Sequence, residues 1–253
     1  METDMNKIPK RLKKEPLIEA IWQVQFESEN GVPIGDLLPG VLFTALRSQH
    51  EGLQLQRLPS ADIPAQMAQV DPNLRHMAKY RMEDKNSPFM FQVGDRIITL
   101  NCRRPYVGWN EFKEKILSLV TVVENSGLVP VPTRHSLRYI DLLTLEPAPS
   151  LSFLQMSMKL GTFEIQNRPI QTRVELLQGN CIHVVQIATP AQVRFPEGVK
   201  NGAIVDLETF PAENLQGWKE IETQVDHLHE RCNALFFENI LTENAIDQME
   251  PEY

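Results

Sequence analysis

The sequence predicts an α+β fold in which one strand-helix-meander-helix unit occurs twice. Two stretches read as copies of one another, GWNEFKEKI from Gly108 to Ile116 and GWKEIETQV from Gly217 to Val225. A repeated Gly-Trp pair followed by Glu, with apolar residues at matching places, is a signal of internal duplication. Each copy opens a stretch whose apolar residues recur at helical spacing, and each half begins with an alternating apolar and polar run. With 253 residues, 42% hydrophobic and 23% charged, the chain has the apolar material for a core that needs neither disulfide nor metal.

The first half starts with PLIEAIWQVQFE, Pro16 to Glu27, where Ile18, Ala20, Trp22, Val24 and Phe26 alternate with Glu19, Gln23, Gln25 and Glu27, the pattern of a strand covered on one face. From Asp36 to about Gln49, Leu38, Leu42, Ala45 and Leu46 mark a helix with Asp36 as N-cap and Pro39 in the first turn. Strands are expected over Gly52 to Leu58 and His76 to Glu83. FMFQV and RIITLNC follow as a hairpin turning at Gly94-Asp95, where Gly supplies positive φ. Trp109, Phe112, Ile116, Val120 and Val123 line one face of a helix that ends at Gly127.

The second half repeats this order. Arg134 to Glu146 reads as a strand, and Leu151 to Leu160 as a short helix capped by Ser150 and stopped by Gly161. Phe163 to Leu177, Cys181 to Ala188 and Ala203 to Phe210 read as strands, and Trp218, Ile221, Val225, Leu228, Cys232 and Leu235 as the closing amphipathic helix. The expected organisation is a basic flexible tail over 1–15, a first repeat over 16–130, a second over 131–240 and a C-terminal tail over 241–253. Aligning the halves leaves about ten extra residues in the first, placed in Pro59 to Arg75, a length at which loops are often either functional or disordered.

Two such units are expected to merge their antiparallel sheets and lay the long helices over one face. That layout resembles the saddle of TATA-binding-protein-like folds, with a single helix-grip sheet as the rival. Only layout is implied, since the polar positions Glu19, Gln23, Gln25 and Glu27 are acidic or neutral where a DNA-binding saddle is basic. The sequence also resembles the bacterial TIGR04255 family over nearly its whole length. The resemblance rests on Pro16 to Glu19, on FQVGDRIITLN running into Tyr106 and Gly108-Trp109, and on LRYID from Leu137 to Asp141. It implies the element boundaries and a bacterial accessory role, and it carries no activity, cofactor or catalytic residue.

Charge and composition narrow the function. A formal charge of −8 disfavours general binding of nucleic acid. The dense basic cluster Lys7, Lys10, Arg11, Lys13 and Lys14 reads as a solvated tail. No apolar run approaches the roughly 18 residues of a membrane span, and no apolar segment follows the basic start as in a secretory signal, so a cytoplasmic protein is expected. Cys102, Cys181 and Cys232 are too far apart for a C-x-x-C pair and suggest reduced thiols.

Glu19, Arg138 and Asp141 stand out because they lie inside apolar strands. Burying Asp141 alone costs several kcal/mol, so it needs a partner, and Glu19 is expected to meet Arg138 in a structural pair, with a ligand anchor as the alternative. Arg103, Arg104 and Tyr106 form a compact group before a helix N-terminus and are candidates for anion binding, against the plainer reading of an exposed loop. Trp109 and Trp218 are expected to cover the sheet. His227, His229 and Cys232 do not share one helix face as metal ligands would. Cys102, His76 and His135 lack the signature of a nucleophilic set, and Gly94-Asp95 lacks the glycines and Lys of a phosphate loop. No metal, cofactor or catalytic residue is therefore expected.

The function expected is that of a non-enzymatic accessory protein of a bacterial defence, stress or toxin-antitoxin locus, binding another protein and helped by the tail Leu241 to Tyr253. The alternatives are a small-molecule pocket or enzyme near Arg138, Asp141 and His135, and a nucleic-acid-binding saddle.

Overall fold

The computed structural model describes residues 8–27, 34–48, 50–64, 67, 70–145, 151–165 and 168–253. The chain divides into two compact units, each discontinuous in sequence: Glu19–Leu137 with Phe210–His227, and Met1–Ile18 with Arg138–Thr209 and Leu228–Tyr253. The division leaves β2 (Leu17–Phe26), β7 (Pro132–Leu143), the strand Gly198–Pro211 and the helix Lys219–Ala234 with residues in both.

In the first unit β2 follows its predicted alternation, with Ala20, Trp22, Val24 and Phe26 removed from solvent and Gln23 and Gln25 half-buried. It is followed by α1 (Ile34–Arg47), β3 (Gln54–Arg57), a 3-10 turn at Pro59–Asp62, one helical turn α2 (Pro72–Arg75), β4 (Ala78–Glu83), β5 (Phe89–Gly94), β6 (Ile97–Arg103) and α3 (Trp109–Ser126). The strands form an antiparallel meander in which β6 lies between β5 and β2, with Glu19 opposite Arg103 and Trp22 opposite Leu100. Helix α1 packs on β5 and on α3, and α3, whose Phe112, Ile116, Leu119 and Val123 are buried, packs on β6.

Three local expectations change here. Helix α1 begins at Ile34, so Asp36 belongs to its first turn instead of capping it, and Pro39 lies inside, where its missing N–H leaves the carbonyl of Gly35 without the usual helical donor. At the β5–β6 turn Gly94 does not adopt positive φ. Its side-chain hydrogen is required for another reason: a Cβ there would fall on the carbonyl oxygen of Met77, where the register of β4 against β5 slips between Ala78 and Tyr80.

The second unit holds the remainder of β7, then β10 (Ile170–Gln178), β11 (Cys181–Phe195) and most of β12 (Gly198–Pro211), with β10 and β11 joined by the two-residue turn Gly179-Asn180. Helix α4 (Lys219–Ala234) runs on into a π-helical segment, Leu235–Ile240. The helix expected over Leu151 to Leu160 is instead a 3-10 turn, Leu151–Phe153, followed by the ribbon β8 (Lys159–Leu160) and β9 (Phe163–Glu164), turned through Gly161 at φ +60. The apolar spacing that suggested a helix is used by Leu151, Phe153 and Leu154, which are buried together, with Leu154 bridged to Leu241. Ser150 lies outside the described residues. The strand expected from Phe163 to Leu177 divides into β9 and β10, because Pro169 has no N–H to continue a ladder.

The two ends expected as free tails pair with each other: β1 (Arg11–Leu12) is antiparallel to β13 (Pro251–Glu252). Between α4 and β13, Thr242 accepts from Ala245 N to cap the short helix α5 (Glu243–Gln248). The first residues of the basic cluster, through Lys7, lie outside the described residues. The fold is thus α+β, with a large antiparallel sheet whose strands hydrogen-bond in the order β10-β11-β12-β7-β2-β6-β5-β4-β3. Among the described residues no helix is long and apolar enough to cross a membrane.

Candidate functional site

The charged residues singled out within strands occupy different environments. In the first unit Glu19 accepts a hydrogen bond from Asn101 Nδ2 at 3.0 Å and stands opposite Arg103, whose guanidinium meets Glu83 at 2.9 Å. In the second unit Arg138 grips Asp206 with two parallel bonds, Nε to Oδ1 at 2.7 Å and Nη2 to Oδ2 at 2.5 Å. Gln186 Nε2 approaches the same carboxylate at 3.4 Å. The carboxylate end is 12% exposed, so this bidentate pair is partly desolvated and stronger than a surface bridge.

Asp141 is 4% exposed, and the charges that act on it, Glu15 and Asp206, share its sign. The expectation that it needs a partner for its charge is met differently: burial first, then those two carboxylates, raises its pKa from 3.8 to about 8. At neutral pH the folded protein therefore carries a neutral carboxylic acid at this position.

The imidazoles of His135 and His183 and the three thiols are also buried and held in their neutral forms. Trp22 Nε1 donates to His135 Nδ1 at 3.4 Å, which leaves the ring proton on Nε2 to meet Gln224 Oε1 at 3.1 Å. Burial lowers the pKa of His135 to about 4 against the opposing bond from Gln224. In the second unit Cys232 donates to Thr209 Oγ1 at 2.9 Å, and Thr209 lies 2.7 Å from His183 Nδ1. Burial and then Arg231 hold His183 near 4, while burial pushes the Cys232 thiol up to about 12. Burial also raises Cys102 and Cys181. A nucleophilic cysteine needs the reverse shift. His229 is turned towards Tyr139, 2.8 Å from its hydroxyl, and towards Asn233, so it does not converge with Cys232.

Arg103, Arg104 and Tyr106 lead into α3 as expected, with Tyr106 packed edge-on to Phe112 and Trp109 doing the same. The side chains at that helix start meet an acid: Trp109 Nε1 donates to Asp226 Oδ1 at 3.0 Å and Lys113 Nζ contacts Oδ2 at 2.5 Å. Trp109 is half-buried and Trp218 is 8% exposed, both within the role of covering residues.

Sequence reasoning missed a cleft of about 150 Å³ in the second unit. Ile8, Pro9, Phe237, Ile246 and Tyr253 line it together with the carboxylates Glu238, Glu243 and Asp247. Among the described residues none of these three carboxylates is in an ion pair. Phe237 and Glu238 come from the π-helical segment, Glu243, Ile246 and Asp247 from α5, and Ile8 and Pro9 from the stretch leading into β1, which pairs with β13. The sequence signal was faint: acidic residues in the last segment, with no hint that it folds back. Asp206 and Asp226 were missed as well, each being one acidic residue among several in an otherwise regular element. No protein-family model matches the chain, and no curated protein matches it in sequence.

Proposed function

We propose that the protein is a non-enzymatic binding protein that engages a basic and apolar segment of another protein through the C-terminal cleft. The observation that carries this reading is the cleft's lining: three carboxylates, Glu238, Glu243 and Asp247, beside the apolar side chains of Ile8, Phe237 and Ile246, in a volume of about 150 Å³. Small-molecule and cofactor sites typically run to roughly 300–1,000 Å³. A cleft of this size fits one or two side chains, and this lining favours a Lys or Arg beside an apolar residue. The neutral, buried state of the three thiols and of His135 and His183 supports binding over catalysis, and the bidentate Arg138–Asp206 contact supports a structural role at the position considered for a pocket. An accessory role in a defence, stress or toxin-antitoxin locus is the biological setting proposed with it.

The test is fluorescence anisotropy with labelled peptides that place Lys or Arg next to an apolar residue, using the wild type and the double variant Glu243→Lys/Asp247→Lys. Binding that weakens with salt and falls at least tenfold in the variant is expected. Equal affinity for both proteins, or no binding to the wild type at low salt, overturns the reading. Copurification from cells that express the protein natively would then name the partner.

A further inference from the structure

The two ends of the sheet differ. At one end β3 is four residues long, the short edge by which sheets discourage pairing with other chains. At the other, β10 presents nine residues, and from Arg173 onward all are exposed. Val174 is 43% exposed and Leu177 72%. A long accessible edge is a template for one more strand.

The β10–β11 turn fixes which backbone groups are free. The two-residue turn at Gly179-Asn180 closes on the pair Gln178 and Cys181, whose backbones bond across it. Bonded pairs alternate in an antiparallel ladder, so Leu176, Val174, Thr172 and Ile170 also direct their N–H and C=O groups to β11. Leu177, Glu175, Arg173 and Gln171 direct theirs outward.

We infer that β10 pairs antiparallel with β10 of a second copy of this chain, about a twofold axis at Val174. In that register Arg173 lies opposite the partner's Glu175 and exchanges backbone hydrogen bonds with it, and the symmetric pair does the same. Val174 meets the partner's Val174, and Thr172 meets the partner's Leu176, so the half-exposed apolar side chains cover one another. Centring on Arg173 or on Glu175 sets like charges face to face. Centring on Thr172 or Leu176 shortens the ladder and leaves the charges without opposites. Within one chain Arg173 and Glu175 already share a face, 3.4 Å apart and more than half exposed, so no internal burial competes with the exchange. One strand edge buries less than the roughly 1,000 Å² of a stable interface, so the dimer is weak and concentration-dependent. It uses a surface other than the cleft and stands without the proposed function.

Sedimentation equilibrium of the full chain tests it through a charge swap. The wild type is expected to dimerise. Arg173→Glu sets a carboxylate against the partner's Glu175, and Glu175→Arg sets two guanidinium groups together, so each weakens dimerisation by about tenfold. The double variant Arg173→Glu/Glu175→Arg restores the opposite charges and is expected to recover wild-type association. Both substituted positions lie at the surface, so thermal melting should not separate the variants. A monomeric wild type, or a dimer indifferent to the single reversals, overturns the inference. So does a β10 whose amides gain protection only when a different protein is added, which would assign the edge to a heterologous strand.

Discussion

Replacing Asp141 by Asn removes an ionisation that the folded state resists. The carboxyl has a pKa of about 8 when folded and 3.8 when exposed, so between those values the unfolded chain releases a proton that the folded chain keeps. The unfolded state then binds fewer protons, and stability falls as pH rises, by at most about 1.4 kcal/mol per pH unit. The contribution is fully present below pH 3.8, is lost progressively up to about 8 and is constant above. At pH 7 the loss is on the order of 4 kcal/mol, an upper bound because water reaching the site would reduce it. His135 and His183 act in the opposite sense: each is near 4 when folded against 6.5 when exposed, so each loses stability as pH falls through that window. The wild-type curve therefore mixes both trends. The difference between Asp141→Asn and wild type, from urea unfolding at several pH values, isolates the carboxyl. It should move in favour of the variant by several kcal/mol between pH 4 and pH 7. Parallel curves for the two proteins would refute the assignment of a neutral acid at this position.

Three further outcomes follow from the geometry. Arg138→Ala should destabilise the fold by roughly 2 kcal/mol because Asp206 is left largely buried without its counter-charge, and a double-mutant cycle with Asp206→Ala should return a coupling of about 1–3 kcal/mol in chemical denaturation. An Arg138→Ala protein with wild-type stability but impaired binding would instead make it a ligand anchor. Gly94→Ala should cost about 1–3 kcal/mol, seen as a lowered Tm, since the added methyl collides with backbone at Met77 instead of with a side chain that can swing away. The thiols of Cys102, Cys181 and Cys232 should react with a chromogenic disulfide reagent at least on the order of a hundredfold more slowly in the native protein than in denaturant, and rapid labelling of the native protein would contradict their burial.

Much of the first unit was legible because its elements follow simple periodicities. Strand β2 alternates as written, and α3 keeps its apolar stripe from Phe112 to Val123 and ends at Gly127 in the left-handed conformation. Legibility failed where a tertiary contact competes with the local pattern. Leu151, Phe153 and Leu154 have helical spacing but are held by a bridge to Leu241, nearly ninety positions away along the chain. Gly94 looked like a turn glycine and is a close-approach glycine. Of the site residues, Arg138 and Asp141 were recognisable as charges in apolar strands, but Asp206 was not identifiable as the partner of one, nor was protonation as the resolution for the other.

The sequence by itself determined the α+β class, most of the strand and helix positions and the unusual nature of charges at Arg138 and Asp141, because periodicity and side-chain chemistry are local properties. Only the tertiary structure decided that β1 closes on β13, that the C-terminal segment folds back to form an acidic cleft, and that β10 is an open edge. These depend on which distant segments share a hydrogen-bond ladder. Backbone groups carry no residue identity, so ladder partners are chosen by the packing of the whole chain.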